Sequence, residues 1–424
     1  MKQADRVQAG ASVIRYDALV LDAKLRQSLV ALRSLGSRGM RVAALECFDA
    51  RDASESLPSF SSRWCERGYK APEYIPRVEP FLTYLQQILQ GQRVRVLITS
   101  SDGTLALVRE HRQELEKHVR IALAKEDALV SACNKEQTLQ IAQHLGLCVP
   151  RGVVVRDVQE VAAAICEVGL PAVVKPVETW SWGAGDRQGS RLICALVTTQ
   201  VEAQRAVEKL ARHGVAVLFQ QYLSGRREAV SLLYAHNRFY ARFAQWARRT
   251  QPPLGGTSVL RQSIALPWDI TEQAEALVQA MDLEGYAEVE FRRDARGKAF
   301  LMEVNPRLSA SVEVAVRAGV DFPYLLYQWA NGDRIERVEK YRVGGWMRYL
   351  GGDIVATAQM IAQQGRPDVP SLPRAIYEFF AAFFLPGGYD YLDWRDPMPA
   401  WIATQTFASR MLYRIQTKIS SRRV

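Results

Sequence analysis

The stretches Gly285-Tyr-Ala-Glu-Val-Glu-Phe-Arg-Arg293 and Lys298-Ala-Phe-Leu-Met-Glu-Val-Asn-Pro-Arg307 read as the two strands of a hairpin around the turn Asp294–Gly297. Apolar and polar residues alternate in both strands, so each strand has one core face and one polar face. The predicted core face carries Ala287, Val289 and Phe291 together with Phe300, Met302 and Val304. A short turn whose glycine accepts positive φ then pairs Glu290 with Glu303 across the hairpin. Two residues further along, Glu288 pairs with Asn305.

The polar face of this hairpin predicts a site for a cation. Like charges directly opposite each other destabilise a sheet, so Glu290 and Glu303 require a positive partner. Oxygen ligands without histidine or cysteine favour Mg²⁺, which is usually shared with phosphate oxygens. The alternative is an exposed polar sheet face on which Arg292 balances the carboxylates.

The composition is that of an ordinary folded protein. The 424 residues suffice for roughly three domains. The proportions of 48% hydrophobic and 24% charged residues exclude wholesale disorder. The formal net charge of +10 suits nucleic acid, an anionic membrane, or polyphosphate and carboxylate substrates. The body of the chain has no basic run interleaved with aromatic residues, which argues against nucleic acid.

The cysteines and the apolar segments bear on the cellular compartment. The six cysteines are scattered, without a C-x-x-C pair or a histidine at ligand spacing. Neither a disulfide framework nor a zinc site is therefore expected. The N-terminus is polar and is followed by no apolar signal core. The apolar segment Phe379–Leu385 is far too short to cross a bilayer, and we expect a cytoplasmic protein.

Strands alternate with helices in the first part of the chain. Apolar runs at 17–22, 40–45 and 94–99 predict strands, and leucines at helical spacing follow the first of them. This alternation predicts a parallel α/β sheet that binds ligands at the carboxyl ends of its strands. The first turn lacks Gly-x-Gly-x-x-Gly, so a dinucleotide site is not expected.

The pattern changes near residue 121. A predicted helix over 134–145 precedes strand-like runs at 153–155, 172–176 and 191–195, with a polar, glycine-containing loop between the last two. Alternation over 229–265 predicts antiparallel strands, and a helix over 269–281 leads into the hairpin. Residues 336–424 are predicted to be helical.

These pieces, in this order, resemble the ATP-grasp superfamily. The resemblance is strongest to the ligase-like branch that includes the carbamoyl-phosphate-synthase large subunit and biotin carboxylase, and it covers roughly residues 17–335. It implies an α/β and α+β chain in which two lobes clasp ATP beside a Rossmann-like domain. The implied parts are a pre-ATP-grasp domain (1–120), an N-terminal lobe with a mobile flap (121–216), a C-terminal lobe with the metal site (217–335) and a helical extension (336–424).

The resemblance also implies which residues contact the nucleotide phosphates. Lys135, at the start of a helix, and Lys175, at the end of a strand, match the lysines of the family that bind phosphate. The loop from Thr179 to Ser190 is similar to the flap over the triphosphate. Its Gly183 and Gly185 allow peptide N–H groups to approach an anion. Two tryptophans in this loop depart from a plain glycine-rich flap.

The adenine and ribose positions follow from the same resemblance. The segment Gln220, Gln221, Tyr222 and Leu223 matches the hinge whose backbone pairs with the adenine edge. The family commonly has a glutamate at one of the first two positions, where this chain has glutamine, but a glutamine amide still accepts a hydrogen bond from the adenine amino group. Glu228 matches the carboxylate that binds the ribose.

The metal and the transferred phosphate complete the implied site. Glu290, Glu303 and Asn305 match metal ligands that carry two Mg²⁺ ions, with Mn²⁺ as an alternative, between the β- and γ-phosphates. Arg307 matches an arginine that stabilises the transferred phosphate, a role that suits its forked donors. Arg261 is the candidate for holding the acceptor carboxylate, and a sheet-surface arginine is the alternative.

The family implies that ATP phosphorylates a carboxylate to an acylphosphate, which an amine or other nucleophile attacks with release of phosphate. One alternative is phosphorylation or carboxylation without amide formation. Another is a non-catalytic, nucleotide-binding regulatory protein. The expected partners are a small carboxylate and an amine, without nucleic acid, and a second copy of the chain in a homodimer.

The segment Trp401–Val424 reads as a basic amphipathic helix. It carries Arg410, Arg414 and Lys418 at spacings of four, beside a series of apolar residues. We expect the helix to pack on its own domain with the basic face in solvent. Contact with an anionic membrane is the alternative.

Overall fold

A computed structural model describes residues 15–48, 56–75, 77–181, 190–192, 194–253 and 255–420 of the chain. In this part, the strands form three main sheets and one two-stranded ribbon. None of the helices in these ranges combines the length and the apolar composition that crossing a membrane requires.

The first part of the chain forms a parallel sheet, as the alternation of strands and helices predicted. Its strands are β1 (Tyr16–Val20), β2 (Val42–Phe48), β3 (Arg67–Pro72), β4 (Val94–Ile98) and β5 (Arg120–Ile121), and its helices are α1 (Arg26–Gly36), α2 (Glu79–Gln92), α3 (Asp102–Glu110) and α4 (Arg112–Leu115). The strand order is β3-β2-β1-β4-β5. The order reverses between β1 and β4, and such a switch point is where open parallel sheets bind ligands.

A four-stranded antiparallel sheet follows. Its elements are α5 (Glu126–Cys133), α6 (Lys135–His144), β6 (Gly152–Val155), α7 (Val161–Val168), β7 (Ala172–Pro176), β10 (Ala195–Val197), α8 (Gln200–Ala211) and β11 (Val217–Gln221), in the strand order β10-β7-β11-β6. The ribbon β8 (Trp180–Ser181) with β9 (Ser190–Arg191) precedes β10. The single strand predicted over 191–195 is therefore wrong, because β9 and β10 belong to different sheets. β11 pairs within this sheet, although the predicted lobe boundary falls before it.

The third sheet has seven strands and contains the hairpin. Its elements are β12 (Arg227–Ala235), β13 (Arg238–Gln251), β14 (Thr257–Ile264), α9 (Trp268–Ala280), β15 (Gly285–Arg293), β16 (Ala299–Asn305), α10 (Glu313–Ala318), α11 (Phe322–Asn331), β17 (Trp346–Arg348), α12 (Leu350–Ala362), α13 (Leu372–Ala381), β18 (Gly387–Tyr389) and α14 (Met398–Ser420). The strand order is β16-β15-β12-β13-β14-β17-β18. The predicted helical extension therefore also supplies two strands, β17 and β18, to this sheet.

The predicted register of the hairpin is confirmed at the carboxylates. Glu290 pairs with Glu303, and Glu288 pairs with Asn305. The hairpin therefore has the predicted polar face, with both carboxylates at the position predicted for the metal site.

A β-bulge changes the register closer to the turn. Phe291 pairs with Leu301, so Met302 is the extra residue on its strand. This corrects the predicted core face of the second strand. Leu301 is fully buried, whereas Phe300 and Met302 are half-buried. Because of the bulge, Leu301 points into the core while Glu303, two residues later on the same strand, points to the polar face.

The N-terminal sheet and the seven-stranded sheet share a hydrophobic core. Leu19 and Leu97 from the first sheet belong to the same buried cluster as Val230, Phe291 and Leu301 from the third. This common core holds the N-terminal sheet beside the hairpin. As a result, the carboxyl end of β4 reaches the polar face of the hairpin.

Candidate active site

The polar face of the hairpin holds a pair of carboxylates. Glu290, which is 8% exposed, lies directly opposite the half-buried Glu303. The Nε atom of Arg227 donates to Oε2 of Glu290 at 3.0 Å. The Nδ2 atom of Asn305 donates to Oε1 of the same carboxylate at 3.2 Å. Arg227 therefore pairs with Glu290, and its charge also acts on Glu303.

The surroundings raise the pKa of one of these carboxyl groups and lower the pKa of the other. Burial raises the pKa of Glu290 to about 7, with Arg227 opposing this shift and Glu303 adding to it. Burial also acts on Glu303, but the positive charges of Lys135 and Lys175 outweigh it and lower the pKa of this group. A cation between the two carboxylates would favour the ionised form of both.

Two buried lysines face the carboxylates. Lys135 is the first residue of α6, and its Nζ donates to Oγ1 of Thr179 at 2.9 Å. Lys175 lies on β7, and its Nζ donates to the carbonyl oxygen of Met302, the bulged residue, at 3.3 Å. Burial lowers the pKa of Lys175, against the opposing charge of Glu303. Two ammonium groups beside two carboxylates suit a ligand that carries both phosphates and metal ions.

Gln220 points into the same region with an unsatisfied amide. It is fully buried, and neither atom of its side-chain amide has a hydrogen-bond partner within the described ranges. Gln220 pairs with Val173 on β7, two residues from Lys175, so both side chains lie on one face of the sheet. An unsatisfied buried amide costs about 1–3 kcal/mol. The amide is therefore free to pair with a polar group of a ligand.

The rest of the hinge is anchored by its neighbours. The peptide N–H of Gln221 donates to the carbonyl of Arg151 at 2.8 Å. The Tyr222 hydroxyl donates to Oδ2 of Asp368 at 2.5 Å, and Leu223 is buried. The contact with Asp368 ties the hinge to the C-terminal part of the chain.

Arg307 meets the N-terminal sheet at the edge of the site. Its Nε donates to Oδ1 of Asp102 at 2.6 Å. Burial disfavours the guanidinium charge, but Asp102 and Glu303 outweigh burial and raise the pKa of Arg307 above its usual range. Asp102 is the first residue of α3, just beyond β4. The crevice at the switch point of the first sheet thus opens onto the candidate site.

A cleft lies between these groups. Its lining includes Asp102, Lys135, Thr179, Trp180, Glu303 and Asn305, and its empty space is about 530 Å³ with the open mouth included.

The base of the predicted flap rests on the N-terminal domain. The ring of Trp180 lies 5.8 Å from that of Tyr74. Gly103 leaves room for both, because a Cβ there would lie 2.5 Å from the Tyr74 hydroxyl and 3.0 Å from the Trp180 ring. Gly183 and Gly185, predicted to cradle phosphate, lie outside the described residues.

The ribose role predicted for Glu228 needs correction. Glu228 pairs with Phe291 on β15 and therefore lies on the sheet face opposite to Glu290. It is buried there beside Arg293 and Arg226, and Nε of Arg293 donates to it at 2.8 Å. The alternation of side chains along β12 thus places this carboxylate away from the cleft.

Arg261 also requires correction. Its side chain is fully buried, and its Nη2 and Nη1 atoms donate to the two carboxylate oxygens of Asp390 at 2.6 and 3.2 Å. Its Nε donates to the carbonyl of Ser311 at 3.3 Å. With these donors engaged, Arg261 holds the C-terminal segment rather than an acceptor carboxylate.

The donor set fits a metal ion that is shared with a substrate. In the ranges that the structure covers, no group of three or more His, Cys, Asp and Glu side chains could hold a metal ion by itself. Glu288 is already satisfied, since Gln245 donates to it at 2.8 Å and Ser311 at 3.1 Å. Two carboxylates and the Asn305 amide oxygen leave coordination positions to other oxygens, as Mg²⁺ with phosphate requires.

Two residues of the site were not predicted from the sequence. Arg227 pairs with Arg292 across β12 and β15, which puts its side chain on the face of Glu290. The alternation of β12 together with its pairing to β15 could have identified it. Asp102, in Ser100-Ser-Asp-Gly103, could have been found from the rule that loops after parallel strands carry functional groups.

The chain is similar to known proteins in part of its sequence. A family model described as "ATP-grasp in the biosynthetic pathway with Ter operon" matches residues 214–348. The D-alanine--D-alanine ligase of Pseudomonas entomophila is 30% identical over 213 residues, covering 46% of this chain and 62% of the relative. The match thus spans less than two thirds of the length of such curated relatives.

Solved structures show the same fold. Biotin carboxylase from Campylobacter jejuni aligns with a TM-score of 0.60 at 16% identity, over 78% of this chain and 74% of that one. L-amino acid ligase from Bacillus licheniformis aligns with a TM-score of 0.59 at 17% identity, over 78% of both chains. Fold, family model and relatives together place the chain in the ATP-grasp superfamily.

Proposed function

We propose that the chain is an ATP-dependent ligase that joins a small carboxylate to an amine and releases ADP and phosphate. The observation that carries this proposal is the Glu290–Glu303 pair beneath Lys135 and Lys175. Such an arrangement suits a metal–polyphosphate complex. The name of the D-alanine--D-alanine ligase, at 30% identity, supports the ligase class.

The nucleotide would lie between the four-stranded sheet and the hairpin. The Gln220 amide oxygen would accept from the adenine amino group, and the backbone of Tyr222 and Leu223 would meet the adenine edge. Lys135 and Lys175 would bind phosphate oxygens. The unsatisfied state of Gln220 supports the adenine position.

Glu290, Glu303 and Asn305 would hold Mg²⁺, in two ions as the family implies, or Mn²⁺. When bound, the metal neutralises phosphate oxygens and strengthens phosphorus as an electrophile. These three side chains fix its place on a rigid hairpin.

The protein groups would mainly orient and neutralise the reacting charges. A substrate carboxylate oxygen attacks the γ-phosphorus of ATP, ADP leaves, and the amine then displaces phosphate from the acylphosphate. Arg307, the candidate catalytic residue, would bind oxygens of the transferred phosphoryl group through its fork. Asp102 would keep Arg307 aimed across the cleft.

The test is Mg²⁺-dependent release of ADP and phosphate from ATP, with pooled amino acids and small carboxylic acids, with and without amines. Glu303→Gln should reduce release at least about 100-fold while the fold persists, because it removes a metal-binding charge. Glu275→Gln is the matched control, since Glu275 pairs with Arg242 outside the site.

Three outcomes separate the alternatives. Release that needs both an acid and an amine supports the ligase. Release with acid alone replaces it with a phosphorylating enzyme. Full activity in Glu303→Gln would contradict the metal assignment.

A further inference from the structure

The last helix exposes an apolar stripe. Trp401 and Leu412 on α14 are each 60% exposed, and Ala408 between them is exposed as well. Their spacings of seven and four residues place them on one helix face. The sequence continues the same spacing with Ile415 and Ile419.

A different side of α14 packs on the body of the protein. Phe407 is half-buried, and its ring would lie 3.1 Å from a Cβ placed at Gly351 on α12. The helix was expected to pack on its own domain. The Phe407 side chain does so, whereas the residues of the stripe remain exposed. Anchored through Phe407, the helix presents Trp401 and Leu412 outward.

The stripe belongs to a region rich in exposed apolar side chains. In the part of the chain that the structure describes, two thirds of the exposed large apolar residues lie between residues 361 and 413. On α13 and the turn after it, Ile376, Phe380 and Phe384 recur at spacings of four. The C-terminal part of the chain thus carries most of the exposed large apolar side chains among the described residues.

Charge identifies the partner. Residues 397–424 contain five lysines and arginines and no aspartate or glutamate. Arg410 lies nine residues from Trp401, which is almost the opposite side of a helix. A second copy of α14 would offer these side chains no acid as a partner. An anionic surface complements them.

We propose that α14 binds the surface of a bilayer that contains anionic lipid, with the stripe of Trp401, Ala408 and Leu412 inserted at the interface. An apolar face with tryptophan, a basic face and no acidic residue are the features of helices that lie in the plane of a membrane. At 23 residues the helix is about 34 Å long and lies along the surface. This role is independent of the ligase reaction.

The experiment is sedimentation of the full chain with vesicles of phosphatidylcholine alone and of phosphatidylcholine with 30% phosphatidylglycerol. We expect binding to the anionic vesicles at least about tenfold tighter than to the neutral ones, weakened by added salt. Trp401→Glu combined with Leu412→Glu should reduce this binding at least about tenfold. Both positions are exposed, so the fold should tolerate the change.

Trp268→Glu is the matched control. Trp268 is 76% exposed at the start of α9, a helix distant in sequence from α14, and its replacement should leave vesicle binding unchanged. Equal loss in this control would show a general surface effect and overturn the proposal.

Absence of binding to anionic vesicles, or undiminished binding by the double variant, would also overturn it. Light scattering on the same samples tests self-association. A dimer that the double variant dissociates, without vesicle binding, would assign the stripe to a second copy instead.

Discussion

A carboxylate buried opposite another carboxylate ionises only where positive charge is available, and Glu290 shares Arg227 with Glu303. The pKa of Glu290 is about 7 in the metal-free folded chain. In the unfolded chain this carboxyl group loses its proton near its ordinary pKa of about 4.3, so between these two values only the folded chain keeps the proton. The contribution of this group to the free energy of unfolding therefore falls as pH rises from about 4.5 to 7.

Glu290→Gln should remove this dependence. In urea unfolding with EDTA, the free energy of unfolding of the wild type should fall relative to the variant by at most about 1.4 kcal/mol per pH unit across that window. Glu46 also has a raised pKa, chiefly through burial. Since Glu46 is present in both proteins, its contribution cancels in the difference between their free energies of unfolding. Parallel curves for the two proteins would contradict the assignment.

Gln220 allows stability and binding to be separated. Gln220→Met removes an unsatisfied buried amide at similar size, so the nucleotide-free chain should gain about 1–2 kcal/mol in its free energy of unfolding. The same change should weaken ADP binding about tenfold, because the proposed adenine contact is lost. Denaturation and titration calorimetry measure the two effects. Gln140→Met, at an exposed position on α6, should change neither. Unchanged ADP affinity in Gln220→Met would remove Gln220 from the site.

At the scale of elements, the junction between the hinge and the hairpin depends on close backbone contact. The N–H of Gly225 donates to the carbonyl of Arg293 at 3.0 Å, and a Cβ at Gly225 would lie 2.3 Å from that oxygen. Gly225→Ala should push β12 from the end of β15 and lower the free energy of unfolding by about 1–3 kcal/mol. Gly255→Ala has no atom within 4 Å of its new Cβ and should be nearly neutral in thermal unfolding. Equal effects would contradict this steric argument.

The hairpin shows what the alternation of apolar and polar residues can predict about a strand pair, and what it cannot. Period-two patterning and the turn were sufficient to pair Glu290 with Glu303. They could not locate the bulge at Met302, because a bulge depends on packing against other strands and on partners such as Lys175. Arg227 was missed for a related reason, since its place on the site face follows from the pairing of β12 with β15.

Across the whole molecule, the order of the sheets was predictable, but the contacts between distant segments were not. The alternation of strands and helices predicted the N-terminal sheet and its ligand-binding edge, where Asp102 now meets Arg307. Nothing local to Arg261 indicated that it would pair with Asp390, 129 residues away. The C-terminal segment was read as helical because β17 and β18 are only three residues long.

Asp390 joins three parts of the fold and gives a prediction at this scale. It accepts hydrogen bonds from Arg261 on β14 and from Arg26 on α1. Burial alone would raise its pKa, but the two guanidinium groups outweigh burial and lower it. The stabilisation is therefore complete above the ordinary carboxyl pKa of about 3.9 and is lost as pH falls through the lower folded value.

Asp390→Asn removes this charge and leaves two arginines buried without their acid. We expect the free energy of unfolding at pH 7 to fall by about 3–5 kcal/mol, as for other buried pairs that lose one partner. Asp393→Asn is the control, because Asp393 pairs with the exposed Arg317 and should cost at most about 1 kcal/mol. Equal losses in urea unfolding would mean that Asp390 does not hold the C-terminal segment. A large loss confined to Asp390→Asn would show that Asp390 is a main fastening of this segment, and of the helix that follows it, to the N-terminal domain and the central sheet, beside the buried Arg33–Asp396 pair.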